Sequence, residues 1–423
     1  MKIAVVGAGV SGIVAARELY GGHEVTVFEA GAHVGGHAHT QRVEAGGQRF
    51  EVDTGFMVYN HRTYPHFTRM LAGLGVEGRA STMSFSVRDA RSGLEYNGES
   101  LDGLYAQRRN LLRPSFHAML AEILRFHRVA PRLLEEAAGE LPLRDYLARE
   151  GYRRDFTECY LLPLVASIWS ADPAALHDFP ARFLVRFLHN HGMLTVNRRP
   201  TWYTVQGGSA RYVERLIAPF RHRIHCAQPV ERLRRIPGGV MLRPRGHDWL
   251  HYDAVFMACH ADQALALLED ASAAEREVLG AIRFRRNSAT LHTDASLLPR
   301  TPRARAAWNY LVRRGTDRGA VVTYDLALLQ GHVAPMPLLL TLNDDGDVAA
   351  SKVLRVMEYE HPQFTAQAVA AQARQREIDG PLATYYCGAW WRNGFHEDGV
   401  ASALEALAHF RADHAQRALH RSA

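Results

Sequence analysis

The chain has 423 residues, 47% apolar and 22% charged, which is enough for two domains with their own cores and excludes a disordered or fibrous protein. Its formal charge of +6 rests almost wholly on arginine, since Lys2 and Lys352 are the only lysines; no zinc finger, helix-turn-helix or basic repeat organises those arginines for nucleic acid, which leaves base composition or contact with anionic phospholipid as their explanation. No run reaches the roughly 18 apolar residues of a membrane span, and Cys159, Cys226, Cys259 and Cys387 are too scattered for a disulfide framework or a metal site, so a cytoplasmic protein with reduced cysteines is expected.

Lys2-Ile-Ala-Val-Val-Gly-Ala-Gly-Val-Ser-Gly12 predicts a buried parallel strand running into Gly7-x-Gly9-x-x-Gly12 and then a helix from Ile13. This is a dinucleotide cradle. Gly7 permits a tight turn, Gly9 lets the backbone approach a pyrophosphate, and Gly12 lets helix and strand pack closely, with Ala8, Val10 and Ser11 between them. A second strand, His23 to Phe28, leads to Glu29 and Ala30, and Glu29 falls where a carboxylate accepts hydrogen bonds from a ribose.

From Thr63 the apolar period turns helical, with Pro65 in a first-turn position, and Thr82 to Val87 with Gly93 to Tyr96 reads as a hairpin. Residues 114–138, 141–150 and 153–191 read as helices of a cap. In it Phe156, Tyr160, Leu161, Leu164, Ile168 and Trp169, then Phe183, Phe187 and Leu188, recur at helical spacing, as plain helix packing or as the wall of an apolar tunnel. Arg108 to Arg128 mixes arginines with large apolar residues, which suits an ordinary amphipathic cap helix or, for a lipid substrate, a surface resting on a bilayer.

The chain returns to the first domain at Thr201 to Ser209, through Gly207-Gly208. A helix over Ala210 to Phe220 follows, then strands at Arg223 to Cys226, Val230 to Arg234, Val240 to Arg243 and Leu250 to Tyr252, and a buried strand in Asp253 to His260 that carries Ala258. Strands dominate again from Phe284 to Val353, notably Ala289 to His292, Ala320 to Tyr324 and Pro337 to Leu342. At the end, a strand over Leu382 to Gly388, a loop over Ala389 to Asp398 and a helix from Gly399 bring a second helix N-terminus to the strand ends, suited to a ring that gathers negative charge on reduction. The expected fold is α/β: a doubly wound, Rossmann-like nucleotide-binding domain (1–62, 203–283 and 380–423) with an inserted mixed α+β substrate domain (63–202 and 284–379).

These motifs together resemble the flavoprotein superfamily of amine oxidases, protoporphyrinogen oxidases and phytoene desaturases over nearly the whole chain. The elements are the opening glycines with Glu29, Val34-Gly-Gly36 followed by Thr40, Asp53-Thr-Gly-Phe56, Gly207-Gly208, the Val230 strand, Asp253 to His260 and Gly388 to Ala403. The resemblance implies FAD. Beyond Gly7 to Gly12, Glu29 and Ala30, it would be held by Gly35, Gly36, His37, Thr40, Thr54, Gly55, Phe56, Met57, Val230 (through its backbone, to adenine), Ala258, Gly388, Phe395, His396, Glu397, Asp398, Gly399 and Val400.

A closer likeness is to bacterial proteins described as predicted NAD/FAD-binding proteins and encoded beside cyclopropane fatty acid synthases. It rests on Gly35-Gly-His-Ala-His-Thr40, Asp53-Thr-Gly-Phe-Met-Val-Tyr-Asn60, Ala166-Ser-Ile-Trp-Ser170, Leu291-His-Thr-Asp294 and Gly394-Phe-His-Glu-Asp-Gly399. It implies dehydrogenation of a methyl-branched fatty acyl chain of a lipid by hydride transfer to flavin. Association with a cyclopropane fatty acid synthase-like methyltransferase and peripheral contact with the inner membrane surface are further expectations.

Three departures bear on chemistry. His37 stands where amine oxidases carry arginine, exchanging a permanent cation for a titratable one; the family's active-site lysine is missing, Lys352 lying too far along, with Arg286, Asn287 and His292 in that stretch instead; and Ser402-Ala403 replaces Ser-Gly. His292 is the first candidate base, or else a satisfied core histidine, and His396 is the second catalytic candidate. Glu397 and Asp398 suit capping of the last helix. Tyr59, Trp169, Trp308, Tyr310 and Tyr324 are candidates for the substrate pocket. Trp390 with Trp391, or Tyr385 with Tyr386, would not cage an amine, because neighbours on a strand face opposite sides. The alternatives are a flavin amine oxidase and a flavoprotein subunit without turnover in a lipid-modifying system.

Overall fold

The computed structural model describes residues 1–136, 140–169, 175–195, 199–313 and 320–422; Ser170 of the cap string, and residues 137–138 and 171–174 of the expected cap helices, lie outside the described residues. Five parallel strands make the first sheet, in the spatial order Ile224–His225, Glu24–Phe28, Lys2–Val6, Ala254–Met257, Thr384–Tyr386. Ile3 pairs with Val25 on one side and Ala254 on the other, and both faces of the strand are covered, which is why Ile3 to Val6 is apolar without alternation. Strand order reverses between Lys2–Val6 and Ala254–Met257, and the crevice beyond the strand ends at such a reversal is where doubly wound sheets take their ligands.

On one face of this sheet the opening helix, Val10–Tyr20, lies against the closing helix, His396–Ser422. The approach needs glycine: a Cβ on Gly399 would come 2.6 Å from Val10 Cγ1. The other face is covered by a three-stranded antiparallel sheet (Val230–Ile236, Gly239–Pro244, Leu250–Tyr252), whose Leu233, Val240 and Leu242 share a core with Val255, Met257 and Leu279.

Seven strands make the second large sheet, in the order Val353–Pro362, Phe284–His292, Leu339–Leu342, Ala320–Asp325, Trp308–Val312, Phe85–Asp89, Leu94–Asn97. Pairing is antiparallel except between Trp308–Val312 and Phe85–Asp89, and the expected hairpin near residues 82–96 is its edge. The helix Leu162–Trp169 packs on the strands Trp308–Val312 and Ala320–Asp325, and Phe126, Phe156, Leu161, Leu184, Tyr324 and Leu340 belong to one core.

Two boundaries differ from expectation in ways that matter. The last strand covers only Thr384–Tyr386, because Leu382 and Ala383 sit at φ of 58° and 54° and the chain turns again at Ala389–Trp391. Trp390 and Trp391 therefore share a tight turn rather than a strand, with ring centroids 4.3 Å apart, so the expectation of opposite facing fails for them. The closing helix starts at His396, which places Glu397 and Asp398 inside its first turn.

Candidate active site

A cavity of about 700 Å³ extends from the glycine turn after Lys2–Val6 to the face of the seven-stranded sheet. At its first end the geometry belongs to the backbone. Gly7 has φ +104° and an added Cβ would lie 2.7 Å from the Ala258 carbonyl oxygen, while a Cβ on Gly12 would lie 1.9 Å from the Gly7 oxygen. Gly9 is the converse: a Cβ there would meet nothing within 4 Å, because the turn faces the open groove. No side chain caps the opening helix at Gly9, so its first amides face that groove unclaimed. An anionic pyrophosphate fits this cradle.

Glu29 lines the same groove, yet each of its oxygens already accepts a backbone N–H at 2.7 Å, Oε2 from Ala8 and Oε1 from Gly31. It braces the glycine turn and keeps acceptor capacity for a ribose hydroxyl. Ala30, Val10, Ser11, Gly35, Gly36, Val230 and Ala258 line the groove with it; Ala8 and Gly12 shape the turn from behind.

Midway, two segments are knitted together. Phe56 N–H donates to the His37 carbonyl at 2.7 Å, and a Cβ on Gly55 would lie 2.4 Å from that oxygen. Thr40, expected to touch cofactor, instead donates its hydroxyl to Asp53 at 2.6 Å and accepts the Ala210 N–H, while Asp53 also accepts from the Ser209 amide and hydroxyl. Burial raises the Asp53 carboxyl above its usual range against these hydrogen bonds. The knot holds His37, Thr54, Gly55, Phe56 and Met57 along the cavity wall.

Facing them are Tyr359, Glu360 and His361 of the long strand, with His260, Gly388, Phe395 and His396. His37 and His361 have ring centroids 5.2 Å apart, and His361 Nδ1 is 2.8 Å from Asn287 Nδ2. His396 stacks on Phe56 at 3.6 Å and its Nε2 is 2.8 Å from the Tyr212 hydroxyl. Burial drives His396 down to about 3 and His361 to about 4, and holds His37 well below its ordinary value, so all three imidazoles are uncharged at neutral pH. The titratable group expected at His37 is thus held in its neutral form by burial. His37 Nε2 is buried without a partner in the protein, an unmet polar group at the place where a cofactor would supply one.

Beyond His396 the cavity widens into a chamber walled by Tyr64, Met83, Ile168, Trp169, Phe187, Met193, Trp202, Trp308, Tyr324, Leu340, Leu342, Phe364 and Phe395. Trp169 anchors it, its Nε1 donating to the Asn393 carbonyl at 3.0 Å and its ring lying 4.7 Å from Phe187. The Tyr324 hydroxyl donates to the carbonyl of Ser167, another residue of the lining, at 3.1 Å. Among the described residues the cavity's carboxylates are Glu29, beside the glycine turn, and Glu360, which is engaged by His260 and Arg286.

Several expected site residues lie elsewhere. His292 is a core histidine: Nδ1 accepts the Asp294 N–H at 3.0 Å, Nε2 sits 2.7 Å from the Thr341 hydroxyl, and it does not border the cavity, so neither nitrogen can act as a base there. Tyr59 and Tyr310 are buried in the cores rather than in the cavity wall. Glu397 caps a helix, but not its own: its two oxygens accept the His66 and Phe67 N–H groups at the start of Pro65–Gly73. Asp398 accepts the Phe395 and Asn393 N–H groups and closes the preceding loop, burial pushing it up to about 6. Gly399 and Val400 serve the contact between the two helices. Lys352 is paired with Asp294 at 3.0 Å, outside the cavity wall.

Sequence reasoning missed Tyr359 and His361 because no strand was expected past Val353. Their signal was the alternation of Met357, Tyr359 and His361. Met83 and Met193 carried no local signal at all.

The profile of the family described as flavin containing amine oxidoreductase matches residues 10–289. No curated protein matches the chain in sequence. In structure it is similar to cyclohexylamine oxidase from Brevibacterium oxydans IH-35A (17% identity, covering 96% of this chain and 98% of that one, TM-score 0.69). It is also similar to putrescine oxidase (14%, 97% and 99%, 0.69) and to a CLA-producing fatty acid isomerase from P. acnes (16%, 96% and 98%, 0.66). At these identities the likeness is one of fold.

Proposed function

We propose, for a chain that belongs to the flavin containing amine oxidoreductase family, that the substrate oxidised in its chamber is an uncharged fatty acyl chain and that the reaction is its dehydrogenation. The protein is an FAD-dependent oxidoreductase. FAD supplies the two-electron acceptor that takes a hydride from the substrate. Its pyrophosphate would be held by the Gly7–Gly12 turn and its ribose by Glu29.

The chamber wall carries the substrate class: among the described residues its side chains are, apart from Ser167, aromatic, aliphatic or thioether, with no carboxylate. An alkylammonium entering it would shed water with no anion among the described wall residues to replace it, at a cost of several kcal/mol. A methylene chain gains about 0.8 kcal/mol for each CH₂ removed from water. The balance favours the chain over the cation, and a diamine would fare worst.

Loss of hydrogen across a C–C bond breaks two C–H bonds, one leaving as hydride and one as a proton, and forms the double bond. Of the imidazoles of His37, His361 and His396 in the cavity wall, His37 has a buried ring nitrogen without a partner in the protein; it would accept that proton and pass it on rather than keep it, since burial disfavours its charged form. Trp169, Phe187 and Phe395 keep water out.

Anaerobic mixing of the yellow protein with methyl-branched acyl phospholipid in micelles tests this. We expect loss of the oxidised-flavin absorbance and a lipid product lighter by two hydrogens. Bleaching by cyclohexylamine or putrescine with none by acyl lipid would overturn the reading in favour of an amine oxidase, and no bleaching by any of them would favour a flavoprotein without turnover.

A further inference from the structure

We propose that the knuckle formed by residues 101–117, with the outer stripe of the helix Pro114–Val129, is a docking surface for an anionic phospholipid bilayer. No helix among the described residues is long and apolar enough to cross a membrane. Leu112 is 87% exposed, Leu101 75% and Leu111 51%. All three sit on one small piece of structure. Asp102, next to Leu101, pairs with Arg108 at the start of the turn Arg108–Leu112, and the Leu111 carbonyl lies 3.0 Å from His117 Nε2 on the helix.

The charge around these leucines is one-sided. Between Gly103 and Arg128 the sole carboxylate is Glu122, which is buried and accepts the Arg153 N–H at 3.1 Å. Of the arginines in that stretch, Arg108 is neutralised by Asp102 and Arg125 is folded over the Tyr152 ring at 4.3 Å. Arg109 donates to uncharged acceptors, the Gly93 carbonyl and Gln107 Oε1, and Arg113 and Arg128 have no ion-pair partner among the described residues.

Bare leucines beside unneutralised guanidinium groups are what an anionic bilayer satisfies, the leucines entering the headgroup boundary and the arginines meeting phosphate. A nucleic acid would leave the leucines in water. The inner face of the same helix, through Phe116, Met119 and Phe126, belongs to the core that holds Trp169, Phe187 and Tyr324. The surface therefore lies outside the cap whose interior walls the chamber.

Sedimentation of the FAD-loaded protein with phosphatidylcholine vesicles, with and without phosphatidylglycerol, tests the assignment independently of any substrate. Binding is expected only with phosphatidylglycerol and should weaken as salt rises. Leu111→Ser/Leu112→Ser and Arg109→Glu/Arg113→Glu should each lower it at least about tenfold, with flavin content unchanged because none of these side chains borders the cavity. Absence of binding to phosphatidylglycerol vesicles, or equal binding by both variants, would overturn it. So would the leucine variant turning an oligomer into a monomer in light scattering without any vesicle binding, which would make the knuckle a contact between copies of the chain.

Discussion

At the nucleotide end of the cavity a single methyl group is too much: a Cβ on Gly12 would sit 1.9 Å from a carbonyl oxygen that cannot move without breaking the turn. At the chamber end the wall is made of large side chains brought from several distant segments, and each can be exchanged for another of similar volume at moderate cost. The first end is specified by backbone and tolerates almost nothing. The second is specified by volume and polarity, and that is where a shared fold acquires a different substrate.

The sharpest way to break this contrast is Gly12→Val. It should yield protein without bound flavin, read from the absorbance of the purified material; a yellow variant with normal flavin content would show that the turn is not backbone-limited. Next in size is Phe187→Ala in the chamber, which removes a ring packed against Trp169 and Phe395 and should lower unfolding stability by about 3–5 kcal/mol. Below its reduced Tm it should still bind FAD. Loss of flavin without loss of stability would merge the two ends into one.

Acid sharpens the comparison further. His292 is lowered by burial from 6.5 to about 4, so the fold favours its neutral form: its contribution is complete above pH 6.5 and is lost as pH falls toward 4. One such group is worth about 2 kcal/mol between pH 7 and pH 5, and His39, His191 and His361 shift the same way. Asp398, raised to about 6, works in the opposite sense, contributing below pH 3.8 and losing that contribution as pH rises through 6. Denaturant unfolding should therefore show net loss of stability from pH 7 to pH 5, with a smaller loss in His292→Gln. The rate of flavin reduction by substrate should stay within about twofold in that variant, since the ring lies outside the cavity wall; a hundredfold fall would return His292 to the catalytic machinery.

The smallest effect is expected for Trp308→Phe. The indole N–H is buried without an acceptor, so its removal should change stability by less than about 1 kcal/mol, in either direction. A large loss would reveal a partner for that group.

The cradle could be read from the chain because glycine at Gly7, Gly9 and Gly12 answers a local demand of backbone geometry, and strand and helix periods on either side are local too. Phe395 and His396 were named from the resemblance, in a stretch expected to be loop; the helix in fact starts at His396. Trp169, Trp308 and Tyr324 could be named as large aromatic residues but not told apart from Tyr59 and Tyr310, which have the same composition signal and lie in the cores. Glu397 looked like a cap for its own helix, and only the approach of Pro65–Gly73 supplied the amides it accepts.

By itself, then, the order of residues determined the nucleotide turn and the strand and helix on either side of it, because each depends on contacts within a few dozen residues, while the flavin was implied by a resemblance over nearly the whole chain. Which histidines border the cavity, that burial disfavours their charged form, and that the described residues bring no carboxylate to the chamber were decided by tertiary structure, since charge and exposure at one side chain depend on what segments hundreds of residues away bring beside it.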